Sequence, residues 1–336
     1  MAMSGVGRAK PAERGLRGPI DWDVAARVGA RTAPRPPKAT RAEVSALEAG
    51  LADAAERARS IAAETAQLPL APDSTTIVLD RPGWVRASCE SFGGLFGQPG
   101  GGRGRAVAAG AETGALLGLL AGRVLGQFDP WAQRLVLVAP NVLMAQRKME
   151  VPADPFHLWV CLHEETHRLQ FNAAPWLTEH ITVAARELLE HVEPDWAVMM
   201  RTIGSMIRGE KASTADVIGS NPRAAASMDR VTAVMSLLEG HADVMMDRVG
   251  PGVVPGLGRI RRRFEARRRG TLRDRVIGRL LGLDVKLAQY RDGARFCRDV
   301  IAEVGVEGLN RVWAGPDALP TRTEIAAPDQ WIERNT

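Results

Sequence analysis

Cysteine is scarce in this 336-residue chain: Cys89, Cys161 and Cys297 are odd in number and far apart, and no CxxC pair exists. A secreted disulfide framework is therefore excluded, and a reducing, cytoplasmic setting is the expectation. Cys161 reads as a buried thiol. The N-terminal stretch MAMSGVGRAKPAERGLRGP is basic but lacks the apolar run of a signal peptide. Long apolar runs are also missing: the small-residue stretch from Ala106 to Phe128 is interrupted by Glu112 and Arg123, too few uncharged residues to cross a bilayer. It reads as a buried helix whose glycines permit close approach of another backbone. The preceding GQPGGGRGR has no GK[ST] ending and no strand before it, so it reads as a surface loop and not a phosphate cradle.

Present instead are 45% hydrophobic residues, ample for a sizeable core, and a modest net charge of +5. The charge is uneven. RIRRRFEARRRGTLRDR concentrates arginines between Arg259 and Arg275, but no nucleic-acid motif or interleaved aromatic platform accompanies it, so a solvated or acid-paired helix face is expected and neither a nucleic-acid nor a membrane partner is assigned.

The strongest chemical signal is FHLWVCLHEETHRLQF, in which His163, Glu164 and His167 spell HExxH. With six histidines in the chain, the pattern would arise by chance on the order of 1 in 100 such sequences, but its context is specific. Phe156, Trp159, Val160, His163, His167 and Gln170 recur three and four apart, so both imidazoles continue the apolar face of a helix. Residues four apart stack on a helix, so both rings can reach one cation, with Glu164 beside them as base. That triangle points to Zn2+-assisted hydrolysis.

A catalytic zinc site needs a third protein ligand. The extended HExxHxxGxxH pattern fails, because Gln170 and Ala173 stand at the glycine and third-histidine positions. In SMDRVTAVMSLLEGHADVMMDRV an apolar stripe, Met228, Val231, Met235, Leu238, Ala242 and Met245, carries Glu239 and Asp243 along its edge. Glu239 is the favoured ligand, with Asp243 accepting a hydrogen bond from the distal nitrogen of His163. Glu187, nearer to HExxH in sequence, is the competitor, and its bland reading is a solvated helix-face charge. His241 lies about 200° round the helix from Glu239, so it is a candidate for the cleft and not a ligand. Tyr290 and His241 are the catalytic candidates for stabilising a developing oxyanion, with Arg291 a third donor.

HEETH with EGHAD resembles the HExxH plus ExxxD signature of gluzincins, although the 71 residues between His167 and Glu239 exceed the thermolysin-type separation. Together with KLAQYRDGARF, these segments resemble a zincin-like metallohydrolase family associated with coenzyme F-420 biosynthesis. The resemblance runs from about Ile20 to the C-terminus. It implies a zincin-like metallopeptidase fold, with His163, His167 and Glu239 as ligands and Glu164 as base, and sharpens the site more than the substrate; the reaction expected of such a site is hydrolysis of a peptide bond, with a peptide or protein as substrate.

The fold class expected is mainly α with some β, a small sheet lying beside the HExxH helix. Residues 1–40 are expected to be disordered or extended, followed by one zincin-like domain over 41–336: a helical preamble (41–130), a strand and the HExxH helix (131–175), and a helical part with the third ligand (176–336). TTIVLDRP reads as extended, and RLVLVAPNVL, at 134–143, is the clearest strand. By analogy with zincins, Leu135 to Ala139 would form an edge against which a substrate lies.

Overall fold

The computed structural model describes residues 17–99, 102–191, 222–268 and 283–335; side chains 17, 98–99, 188–191, 222–225, 267–268 and 283–291 lie outside that description. The chain alternates between two compact units. Of the described residues, those at 17–34 and within 81–122 form one, and those within 35–80 and from 123 onward form the other. The single domain expected over 41–336 is thus divided, because residues 81–122 pack with the N-terminal segment.

The first segment gives β1 (Arg17–Gly18) and α1 (Trp22–Thr32). A helix here corrects the expectation of an extended terminus. Asp21 caps it by accepting from the Val24 N–H, and Trp22, Ala25 and Gly29 are buried. The second segment gives α2 (Arg41–Ala66) and β2 (Thr75–Leu79). The third returns to the smaller unit as α3 (Arg81–Phe96), β3 (Gln98–Pro99) and α4 (Arg103–Leu120). The close approach expected of the α4 glycines is observed against α1. A Cβ on Gly110 would fall 2.4 Å from the Asp21 carbonyl oxygen, and one on Gly114 would fall 2.4 Å from that of Ala25.

The remaining chain forms β4 (Gly126–Asp129), β5 (Arg134–Val138), α5 (Ala139–Met149), α6 (Ala153–Ala173), α7 (Trp176–His191), α8 (Pro222–Val249), α9 (Leu257–Arg268), α10 (Leu283–Leu309), α11 (Arg322–Ala326) and α12 (Pro328–Asn335), with two short 3-10 turns after α10. In the larger unit β5 is central, paired parallel to β2 and antiparallel to β4. This moves the edge expected at Leu135–Ala139: β5 has a neighbour on each side, and the edge strands are β4 and β2. The β4–β5 turn is fixed by Asp129, which accepts from the N–H groups of Trp131 and Ala132 at 3.2 and 3.1 Å and pairs with Arg134 at 3.3 Å.

Helix α6 is buried on nearly every side through Phe156 to Leu162. Helix α2 lies against it because its inward stripe is built almost entirely from small residues, Ala54, Ala55, Ala58, Ala62 and Ala66, after Leu47 and Leu51. At its start, Thr40 and Glu43 form a reciprocal capping box. Helix α8 packs on α6, α7 and α10. Where α8 crosses α10 two glycines meet: a Cβ on Gly240 would fall 2.2 Å from the Gly293 carbonyl carbon, and one on Gly293 would fall 1.9 Å from the Ser236 oxygen. Backbone thus meets backbone one residue beyond Glu239. Among the described residues no helix is long and apolar enough to cross a membrane.

Candidate metal centre

Helices α6 and α8 bring His163, His167 and Glu239 together, with one potential ligand atom from each lying within 4.8 Å of the others. His163 Nε2 is 3.2 Å from His167 Nε2, and Glu239 oxygens lie 3.7 Å from the first ring nitrogen and 3.9 Å from the second. A tetrahedral zinc ion with bonds of about 2.0–2.1 Å separates neighbouring ligand atoms by about 3.3–3.4 Å. The triangle is therefore the right size for such an ion, with Glu239 a few tenths of an ångström wide. Two nitrogens and a carboxylate oxygen are also a donor set that suits zinc. All three side chains keep partial exposure, which leaves the cluster accessible from one side.

Glu164 sits beside this triangle and is buried. The backbone of Phe128 in β4 hydrogen-bonds its carboxylate. Gly126 gives it room: a Cβ there would lie 2.7 Å from Glu164 Cγ and 2.9 Å from Oε1. Burial, then the nearby negative charge of Glu239, push its carboxyl up to about 8, against the lowering contribution of the Phe128 hydrogen bond. A dication among the three ligands would oppose that shift. Glu165, on the neighbouring helix position, points elsewhere and forms a buried ion pair with Arg168 at 2.6 Å.

Gln170, which the sequence places on the same face as both histidines and at the position of a glycine in the extended pattern, lies at the centre of the hydrogen bonding behind the ligands. It is fully buried. Its Oε1 is 2.9 Å from His167 Nδ1, and its Nε2 is 2.9 Å from both the Leu238 carbonyl oxygen and His241 Nδ1. The signal that could have found it is a polar residue on the apolar face one turn beyond the second histidine. Gly126 and Phe128 carried no such signal, since their proximity to Glu164 arises from the sheet.

The other candidates separate cleanly. His241 is fully buried, edge-on to Trp313 at 5.3 Å, and burial followed by the His167 charge pushes its imidazole down to about 3. This burial among the described residues differs from the expectation of a donor facing the cleft. Asp243 does not meet His163; its carboxylate is held by Arg261 of α9 at 2.7 Å, and Arg261 also binds Asp247 at 2.7 Å. Glu187 is away from the triangle, engaged by Arg230 and by Ser227. Tyr290 and Arg291 lie on α10, and their side chains are outside the described residues. Of the arginine run, Arg259 donates to the Glu150 carbonyl and Arg263 to the Met149 carbonyl and the Glu150 carboxylate. Arg261 and Arg263 are acid-paired, as expected of the run, and Arg259 and Arg263 also bind backbone carbonyls; the segment from 269 to 275 lies outside the described residues.

No curated protein matches the chain. Among solved structures, it is similar to a crystal structure from Chloroflexus aurantiacus described as a candidate hydrolase with a novel fold, at 32% identity and a TM-score of 0.67, over 94% of this chain and 98% of that one. Neither this likeness nor the family match carries an association with coenzyme F-420. The model of the zincin-like metallopeptidases matches residues 20–332, nearly the whole chain, and the chain belongs to that family.

Proposed function

We propose that this protein is a zinc-dependent peptidase in which His163, His167 and Glu239 hold the metal and Glu164 is the catalytic base. The observation that carries the reading is a buried carboxylate outside the ligand set, placed beside three convergent ligand atoms. A structural metal site has no need of such a group. When bound, the zinc ion supplies Lewis-acid polarisation of the substrate carbonyl and lowers the pKa of water. Glu164 would accept the proton of the attacking water at a carboxylate oxygen and return it to the leaving amine. The Phe128 N–H holds the carboxylate in place.

Metal analysis and a peptide-library assay test this together. Wild type is expected to hold one equivalent of zinc and to cleave peptides. His163→Ala and Glu239→Gln should lose the metal, whereas Glu164→Gln should keep the metal and lose the activity. Absence of stoichiometric zinc from the wild type, under conditions that preserve weakly bound ions, would refute the proposal. Zinc without any peptide cleavage would leave the metal site standing and refute the substrate class.

A further inference from the structure

We infer that Gln170 is a positioning residue: its one amide ties the two ligand-bearing helices together and fixes which nitrogen of His167 is free for a cation, with His241 as the buried acceptor that completes the arrangement. This inference rests on the metal-site reading for its purpose, but its geometry stands without a metal.

The argument begins at a group whose chemistry has no ambiguity. The Leu238 carbonyl can only accept, so the Gln170 atom 2.9 Å from it must be the nitrogen. The second hydrogen of that NH2 then points at His241 Nδ1, 2.9 Å away, which must present a lone pair. The remaining amide atom, Oε1, can only accept, so His167 Nδ1, at 2.9 Å, must carry the proton. In the neutral ring His167 Nε2 is therefore left with the lone pair. It is the atom that faces His163 Nε2 and Glu239. Which ring nitrogen carries the proton is set by the hydrogen bond the ring makes, so the amide selects the neutral tautomer whose lone pair faces the other two ligand residues.

A carboxylate or a backbone carbonyl often performs this task behind a metal-bound histidine. Here an amide is the better solution for two reasons. Glu164 and Glu239 already place two acids in the site, and a third would add like charge where solvent is scarce. An amide also donates, which a carboxylate cannot do. Its two N–H bonds end on Leu238 and His241 of α8, on either side of Glu239 in sequence. One side chain of α6 thus fixes both the proton on His167 and the seating of the helix that supplies the third ligand.

The test uses full-length protein with 15N-labelled histidine, stripped of metal, in which ring-nitrogen shifts report the tautomer and His167→Ala assigns the signal. Wild type should show His167 protonated at Nδ1. In Gln170→Met that preference should be lost, and zinc affinity, measured by chelator competition, should fall about 10- to 100-fold. Gln170→Glu keeps the acceptor, so it should retain the His167 tautomer while changing the His241 signal. It also serves if the methionine variant does not fold. An Nε2-protonated His167 in the metal-free wild type would overturn the inference. So would a folded Gln170→Met with unchanged tautomer and zinc affinity. If the wild type binds no zinc, the metal-site reading fails, and the tautomer measurement still decides the role of Gln170.

Discussion

Gly126→Ala is the substitution that best separates the base from the ligands. The added Cβ would lie 2.7 Å from Glu164 Cγ and 2.9 Å from Oε1, whereas comfortable carbon contacts begin near 3.5 Å. The Glu164 side chain must therefore move by about 0.8 Å or more. It is buried, so it cannot swing into solvent. A misplacement on the order of 1 Å costs about 100-fold in rate, equivalent to about 2.7 kcal/mol in the barrier. Overpacking should also lower stability by about 1–3 kcal/mol. Neither effect requires loss of the metal, because Glu164 is not among the three ligand residues. The assay is kcat/KM on a peptide selected from the library screen, alongside zinc stoichiometry and urea unfolding. The expected result is a fall of about two orders of magnitude in kcat/KM at full zinc occupancy. In a Glu164→Gln background the same substitution should change the residual rate little, because the group it displaces no longer acts as a base. Wild-type kcat/KM in Gly126→Ala would refute the reasoning, as would loss of zinc without loss of fold.

Further outcomes follow from other contacts. Asp243→Asn should leave zinc binding unchanged and cost no more than about 1 kcal/mol in urea unfolding, because the carboxylate serves a half-exposed pair with Arg261; a large loss of zinc would restore it behind His163. Glu187→Gln should also retain the metal, since its partners are Arg230 and Ser227. Burial lowers the pKa of His157 below its ordinary 6.5, with Asp154 opposing. The unfolded chain then binds a proton first as pH falls below about 6.5, so stability decreases toward acid, by at most about 1.4 kcal/mol per pH unit from this group. Urea midpoints of His157→Leu should decline less between pH 7 and 5 than those of wild type. Phe156→Ala, which removes a fully buried ring stacked on Trp159 at 6.0 Å, should cost about 3–5 kcal/mol.

Much of the site could be read from periodicity. His163 and His167 continue the apolar face of α6, and Glu239 borders an apolar stripe, so the helical spacing alone turned these three side chains inward. What the spacing could not supply was the identity of each neighbour. The spacing sets Asp243 one turn beyond Glu239 and so offers it to the distal nitrogen of His163, but α9 brings Arg261 to it instead. The angle round the helix separates His241 from Glu239, but does not supply its contact with Trp313, which comes from a distant turn. RLVLV was legible as a strand, whereas its central position depends on long-range pairing with β2 and β4. The extended reading of residues 22–32 failed for a related reason. Helix α1 buries Trp22, Ala25 and Gly29, and two of these are too small to register as an apolar stripe.

The contact between Gly240 and Gly293 gives the centre an unequal tolerance to change. Histidine and glutamate side chains can adjust to a cation by rotating about their own bonds, so their placement has some give. Two main chains in direct apposition have no equivalent adjustment. A methyl group at either glycine would have to lift one helix from the other, carrying Glu239 with it. The third ligand therefore takes its address from two residues that possess no chemistry of their own, and over evolutionary time those positions should admit fewer replacements than many that touch the metal's surroundings directly. Helix α8 is thus set by main-chain apposition at the point where it carries the third ligand.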